Sequence, residues 1–122
     1  MLDQQDRGKI EKIIRDRKLA NGFYLKQSDV FRAFTALEEK AFAEGALARM
    51  HKELIAVGIS VTNNCESCMQ WHIEQALKAG ATEQQVLEAI GVAFEMGGGP
   101  ATVSARFAMK VLEYYRENAP RT

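Results

Sequence analysis

The stretch from Glu53 to His72 constrains the fold and chemistry of this chain more than any other part of the sequence. It contains both cysteines, Cys65 and Cys68, and a histidine four residues after the second. If a helix begins at about Cys65, the two cysteines and His72 lie at positions i, i+3 and i+7 and share one helix face. The spacing therefore predicts two thiols and an imidazole together on one helix.

The residues before Cys65 predict where that helix begins. Thr62, Asn63 and Asn64 are all types that cap helix N-termini, so both cysteines are expected in the first turn. The unpaired N–H groups and partial positive charge at that end favour a thiolate. A reactive thiol beside a second thiol is typical of a dithiol redox site.

Length and charge exclude several classes of function. The 122 residues fit one domain, spanning 1–122. The 16 basic and 16 acidic residues cancel, which gives no electrostatic basis for binding nucleic acid or a membrane surface. The longest apolar run, 54–61, is too short to cross a bilayer, and the N-terminal residues lack the shape of a signal peptide. We therefore expect a cytoplasmic protein, where a lone Cys-x-x-Cys is more often catalytic or metal-binding than structural.

Apolar periodicity predicts an all-α chain of about six helices. The first is expected to be capped by Asp3 or Asp6, to present its charged residues to solvent, and to end at Asn21-Gly22, before a bridge over 23–25. Ser28-Asp29 is expected to cap the second helix, whose aromatic side chains are predicted to lie in the core.

The remaining helices follow from similar signals. The third is predicted from Leu47 to Val61, buried over its apolar second half. The fourth runs from Cys65 to about Ala79, and a capping box at 82–85 opens the fifth. The Gly-Gly-Gly-Pro run at 97–100 separates the fifth from the sixth, and the last residues, through Arg121 and Thr122, are expected to fray.

Two alternatives remain open for the polar residues of the central stretch. Glu53 is either a surface carboxylate near a helix start or a buried proton acceptor. Cys65, Cys68 and His72 supply three potential zinc ligands, but no second Cys or His pair completes a structural zinc site, so we expect no metal and no other cofactor. The phase of His72 with both cysteines favours a proton relay over a packed or surface histidine.

The segment from about Leu47 to Ala105 resembles the alkylhydroperoxidase D-like branch of the carboxymuconolactone decarboxylase family. The resemblance rests on the order of its motifs: a Glu, then Cys-x-x-Cys, then a His, then Ala-Gly-Ala-Thr, and finally Met-Gly-Gly-Gly-Pro. It implies an all-helical bundle, assembly as trimers or hexamers, and peroxide reduction through a dithiol/disulfide cycle.

The resemblance also assigns individual residues. The family's carboxylate falls on Glu53, its redox cysteines on Cys65 and Cys68, and its relay histidine on His72. One position departs from the pattern, because Ser67 stands where well-studied members carry a second histidine. Beside it, Glu66 places a negative charge next to the cysteines, which opposes thiolate formation and predicts a weaker peroxidase.

Three hypotheses of function follow. In the first, a thiol peroxidase, Cys68 attacks the peroxide, Cys65 resolves the product to a disulfide, Glu53 and His72 move protons, and an external dithiol restores the pair. The two cysteine roles are interchangeable on sequence grounds. The second is a lactone decarboxylase, which needs no pair of thiols. The third is a non-enzymatic helical module that senses redox state. Leftover apolar helix faces favour a homo-oligomer in each case.

Overall fold

The computed structural model describes residues 2–120, and it confirms the all-α prediction. The described part of the chain forms six helices and contains no strand: α1 (Gln4–Gln27), α2 (Asp29–Phe42), α3 (Arg49–Thr62), α4 (Glu66–Lys78), α5 (Glu83–Gly97) and α6 (Gly99–Glu117). Within residues 2–120, no helix is both long and apolar enough to cross a membrane. The predicted fraying at Arg121 and Thr122 lies outside the described residues.

Side-chain caps fix three of the helix starts as predicted. Asp3 caps α1 by accepting the N–H of Asp6, whose own side chain accepts from the Asp3 N–H in return. Ser28 caps α2, and the predicted capping box at 82–85 opens α5. Each cap satisfies donors that have no partner inside the helix, which contributes about 1 kcal/mol to helix stability.

The predicted end of α1 at Asn21-Gly22 is wrong. The helix continues through Gly22 for five further residues, so the segment predicted as a bridge forms its last turns. A single helical glycine costs about 1 kcal/mol relative to alanine, which a long helix tolerates. The helix stops at Ser28, where the backbone becomes extended and the side chain turns to cap α2.

The core lies where α4 packs against α1, α3, α5 and α6. The largest of its fully buried apolar side chains are Ile10, Val57, Val61, Met69, Ile73, Val86, Ile90 and Val111. These residues come mainly from α3 to α6, and α1 contributes only Ile10 among the buried side chains of its own span. The motif-bearing helices are therefore also the helices that form the core.

The prediction that the aromatic face of α2 lies in the core is wrong for the isolated chain. None of the residues of α2 is buried, and Val30 retains 81% of its accessible surface. The reason is placement, because α2 packs mainly against α1 and α3, at the edge of the bundle. Its apolar side chains therefore stay largely exposed in the single chain.

The prediction that the second half of α3 is buried holds for one face only. Val57, Ser60 and Val61 are buried, whereas Ile55 and Ile59 are about half exposed. The exposed side of α3 faces α5 across an open apolar groove of about 620 Å³. A continuous apolar run thus covers both a core face and a groove.

The glycines between α5 and α6 permit a close crossing. Gly98 has φ of +67°, a conformation that favours glycine. A Cβ placed on Gly97 would lie 2.8 Å from the Cβ of Ala101 and 3.3 Å from a methyl of Thr62. The run at 97–100 is therefore a tight interhelical turn that brings α6 close to α3.

Candidate redox site

The N-terminal turn of α4 carries both cysteines, as predicted, but the cap is Cys65 itself rather than the polar residues before it. The Sγ atom of Cys65 accepts the backbone N–H of Cys68 at 3.2 Å. Just upstream, Asn64 has φ of +52°, and the N–H of Cys65 donates to the carbonyl of Ser60 at 3.0 Å. This sharp turn from α3 places Cys65 at the start of α4.

The two cysteines form a disulfide with each other. Their Cα atoms lie 5.2 Å apart, and both residues are partly exposed. The pair stands at a helix N-terminus, where partial positive charge stabilises a thiolate once the disulfide is reduced. The site can therefore hold two electrons, as a dithiol, or release them.

Glu53 is buried, so the alternative that it is a surface carboxylate is wrong. Only 1% of the side chain is exposed, and its Oε1 atom lies 2.7 Å from Nδ1 of His72. The second oxygen lies 3.5 Å from Nε of Arg49, one turn earlier on α3. A buried carboxylate needs such partners. The contact with Glu53 also fixes Nδ1 as the ring nitrogen of His72 that faces α3.

His72 is held on a second side by an aromatic ring. Phe42, the last residue of α2, stacks on the imidazole with ring centroids 5.3 Å apart and planes inclined by 18°. About 16% of the accessible surface of the His72 side chain remains exposed. A cavity of about 170 Å³ adjoins it, lined by Glu38, Glu39, Phe42, Ala43, Arg49, Glu53, Trp71 and His72. The Glu53–His72 pair is thus fixed in position and borders a cavity large enough for a small molecule.

The structure brings the four predicted site residues together on two helices. Cys68 and His72 lie one turn apart on α4, which is unbroken between them, and Glu53 reaches the imidazole from α3. A residue four positions along a helix lies on the same face. Among residues 2–120, no three His, Cys, Asp or Glu side chains are grouped so as to hold a metal ion.

Sequence reasoning missed the contribution of α1, whose charged residues were all expected to face solvent. Lys9 places its Nζ 3.0 Å from Oε2 of Glu66, and Arg17 donates from one nitrogen to both the carbonyl and the hydroxyl of Ser67. Both residues between the cysteines are therefore bound by cations of α1. The eight-residue spacing of Lys9 and Arg17, about two helical turns, places them on one side of α1 but does not indicate which helix they contact.

These contacts bear on the charge of Glu66. An opposite charge at 3.0 Å offsets the repulsion that this carboxylate would exert on a thiolate. Lys9 also lies 4.9 Å from the ring centre of Phe107 on α6, which helps to fix its position. The negative charge predicted to disfavour the thiolate is thus paired in the folded chain.

An all-helical bundle with a Cys-x-x-Cys at a helix start and a buried Glu–His pair defines the class of this molecule. The family model for the carboxymuconolactone decarboxylase family matches residues 28–111, and the chain belongs to this family. The matched range includes the whole site and begins at the cap of α2.

The chain is also similar to two relatives over about two thirds of its length. The chain is 43% identical over 81 residues to uncharacterized protein 4 in the cox locus of Paracoccus denitrificans, covering 66% of this chain and 73% of that protein. It is 29% identical over 100 residues to the alkyl hydroperoxide reductase AhpD of Anaeromyxobacter dehalogenans, covering 71% of this chain and only 54% of that protein.

Solved structures of the family share the fold. A carboxymuconolactone decarboxylase family protein from Legionella pneumophila superposes with a TM-score of 0.77 at 32% identity, covering 89% of this chain and 96% of that one. A family protein from Thermotoga maritima, described in connection with an antioxidative response, superposes with a TM-score of 0.80 at 25% identity, covering 87% and 91% of the two chains.

Proposed function

We propose that this chain is a thiol-dependent hydroperoxide reductase that cycles between the Cys65–Cys68 disulfide and the dithiol. The observation that carries the proposal is the buried Glu53–His72 pair, joined at 2.7 Å and set one turn from Cys68. A proton relay fixed beside a pair of thiols is what peroxide reduction requires, because the alkoxide that leaves must be protonated. Similarity to AhpD proteins and to a protein described in connection with an antioxidative response supports the same reaction class.

The first step forms a sulfenic acid. The Cys68 thiolate attacks the terminal oxygen of ROOH, an S–O bond forms, and the O–O bond breaks. The alkoxide that leaves takes a proton from His72, whose ring is oriented by Glu53. Cys68 is assigned as the nucleophile because it lies closer to His72 along α4.

The second step forms the disulfide. The Cys65 thiolate attacks the sulfenic sulfur, an S–S bond forms, and hydroxide leaves and is protonated to water. Two electrons have then moved from the dithiol to the peroxide, and ROOH has become ROH and water. An external dithiol reductant returns two electrons and two protons to the pair. A cytoplasmic location would provide such a reductant.

We also propose that the chain works as a homo-oligomer, a trimer or hexamer. The apolar face at the end of α1 and along α2, which we call the α2 face, is exposed at Leu19, Phe23, Val30, Phe34 and Leu37. Soluble chains rarely leave so many large apolar side chains in one contiguous area, so a second copy is the expected cover. Light scattering should give a multiple of the chain mass, and Val30→Glu with Leu37→Glu should reduce it, whereas the exposed Lys40→Glu should not.

The proposed reaction is tested by peroxide consumption with dithiothreitol as the electron donor. Wild type should consume peroxide and Cys68→Ser should not. Cys65→Ser should be slower than wild type, because dithiothreitol itself must then reduce the sulfenic acid on Cys68. His72→Phe, which keeps the ring on Phe42, should be about 100-fold slower. His51→Ala is the matched control, because His51 is the other histidine and is exposed.

The same assay separates the competing functions. If the Cys65–Cys68 disulfide forms and is reduced without any peroxide turnover, the result would favour the redox-sensing module over the peroxidase. Lactone decarboxylation that survives loss of both cysteines would instead make the chain a lyase. Full turnover by Cys68→Ser would show that the nucleophile is assigned to the wrong cysteine.

A further inference from the structure

Arg17 connects α1 to the turn that carries the dithiol through several contacts at once. One guanidinium nitrogen donates to the Ser67 carbonyl at 3.3 Å and to the Ser67 hydroxyl at 3.1 Å. The other nitrogen donates to the side-chain oxygen of Gln70, and the guanidinium lies 4.9 Å from the ring centre of Trp71. Its contacts therefore reach both Ser67, between the cysteines, and the next turn of α4.

The partner of the second nitrogen is itself fixed. Gln70 has no exposed surface, and its amide nitrogen donates to the Tyr115 hydroxyl at 2.6 Å and to Glu74 at 3.0 Å. Burial, and then the nearby Glu74, raise the pKa of Tyr115 well above its ordinary value, so the hydroxyl stays protonated. Arg17 is thus anchored to a network that reaches α6, and its own position is well defined.

We propose that Arg17 is the positioning residue of the dithiol: its guanidinium holds the Cys65–Cys68 turn in place and supplies a fixed positive charge that favours the thiolate. The proposal rests on the dithiol site proposed above. Ser67 is one of the two residues between the cysteines, and Arg17 brings to it a cation that cannot be deprotonated in a protein. A nearby opposite charge and bonds that hold the helix start both stabilise a thiolate.

Several other charged groups on α4 and the helices around it are already paired. Lys9 is paired with Glu66, Glu53 with both His72 and Arg49, and Glu83 of α5 with Arg116 of α6. The charged and titratable groups nearest the turn are Asp6, Lys9 and Arg17 from α1, Arg49 and Glu53 from α3, Glu66 and His72 from α4, and Arg106 and Lys110 from α6, whereas Glu74, Lys78, Glu83 and Arg116 lie toward the other end of α4. Of the α1 cations, Arg17 is the one bonded directly to the backbone between the cysteines.

A merely structural tie and a positioning role differ in what they change. Loss of a structural tie lowers the free energy of unfolding but leaves the chemistry of the folded site unchanged. Loss of a residue that favours the thiolate slows alkylation of the reduced protein at acidic pH and shifts the dithiol/disulfide equilibrium toward the disulfide. Both quantities are measured on folded protein and need no peroxide.

The experiment compares Arg17→Gln, Arg17→Met and Arg17→Lys with wild type, with exposed Arg15→Gln on the same helix as the matched control. Reduced protein is alkylated with iodoacetamide across pH 5–9, and the equilibrium with glutathione is measured separately. Methionine keeps a long chain over Trp71, so the two neutral variants differ in packing while sharing the loss of charge. Circular dichroism confirms that each variant is folded.

We expect both neutral variants to be alkylated about three- to tenfold more slowly at pH 6, and to favour the disulfide by a similar factor. Arg17→Lys should recover part of the rate because it keeps the charge, and Arg15→Gln should match wild type. Unchanged rates in the folded neutral variants, or no recovery with lysine, would overturn the proposal. Absence of peroxide turnover in wild type would refute the peroxidase but not this inference, because neither readout uses peroxide.

Discussion

The buried pair of Glu53 and His72 leads to an asymmetric prediction about stability. His72→Phe keeps a ring stacked on Phe42 but removes the nitrogen that partners a carboxylate with 1% exposure. Breaking a buried pair in this way costs about 3–5 kcal/mol, because the remaining charge is uncompensated. Arg49 stays 3.5 Å from the second oxygen, so we expect the lower value, about 3 kcal/mol.

Removing the other partner should cost much less. Glu53→Leu leaves His72, which keeps 16% exposure and can reach water, so the loss is about one hydrogen bond, or about 1 kcal/mol. The double variant, His72→Phe with Glu53→Leu, contains no unpaired buried carboxylate and should lie within about 1 kcal/mol of wild type. The singles sum to about 4 kcal/mol, so the coupling between the two sites is about 3 kcal/mol.

Urea unfolding of the oxidised protein, followed by circular dichroism, measures these differences. With a urea m value of about 1.5 kcal/mol/M, His72→Phe should unfold at a midpoint about 2 M lower, and the double variant should recover most of that loss. Lys12→Ala, which breaks an exposed pair with Asp16, is the control and should change stability by about 0.5 kcal/mol or less. A double variant as unstable as the two singles combined would refute the argument that the buried carboxylate sets the cost.

Three further predictions concern the frame around the site. Ser104 donates to a buried carbonyl of α3 at 2.7 Å, so Ser104→Ala should lower the free energy of unfolding by about 1–3 kcal/mol in urea. Gly97→Ala should destabilise the protein by about 1–3 kcal/mol, because the new Cβ would lie 2.8 Å from the methyl of Ala101. Gly91→Ala has open space around it and should stabilise the protein by about 0.5–1 kcal/mol. Equal effects of the two variants in thermal unfolding would contradict this. The hydrogen bond from Lys110 holds the pKa of Asp6 below its ordinary value, so this pair stabilises the fold at neutral pH. That stabilisation is lost as the pH falls through the lowered pKa. The urea midpoints of wild type and Lys110→Met should therefore differ at pH 6 and converge toward pH 2.

The sequence was most informative where local chemistry decides the structure. The caps at Asp3, Ser28 and Thr82 formed as predicted, because each uses a side chain that bonds only three residues ahead. The shared face of Cys68 and His72 likewise follows from helix geometry alone. These features need no knowledge of how distant segments pack.

Predictions failed where the outcome depends on distant partners or on a balance between competing signals. Asn21-Gly22 is a plausible helix end, but nothing forces the chain to leave the helix there, and a stronger cap lies at Ser28. The apolar face of α2 predicts burial without saying whether the partner lies in the same chain. The pairing of Arg17 with Ser67 joins residues 50 positions apart, which no local pattern encodes.

Cys65 is both the N-cap of α4 and one half of the dithiol. The strength of its capping hydrogen bond should therefore depend on whether the cysteines are oxidised or reduced. A thiolate accepts the Cys68 N–H more strongly than a disulfide sulfur does, so reduction should tighten the helix start and oxidation should loosen it. The amide proton of Cys68 is then a built-in reporter, with slower exchange and a downfield shift expected in the reduced protein. That one amide proton would therefore report both the order of the helix start and the oxidation state of the cysteines.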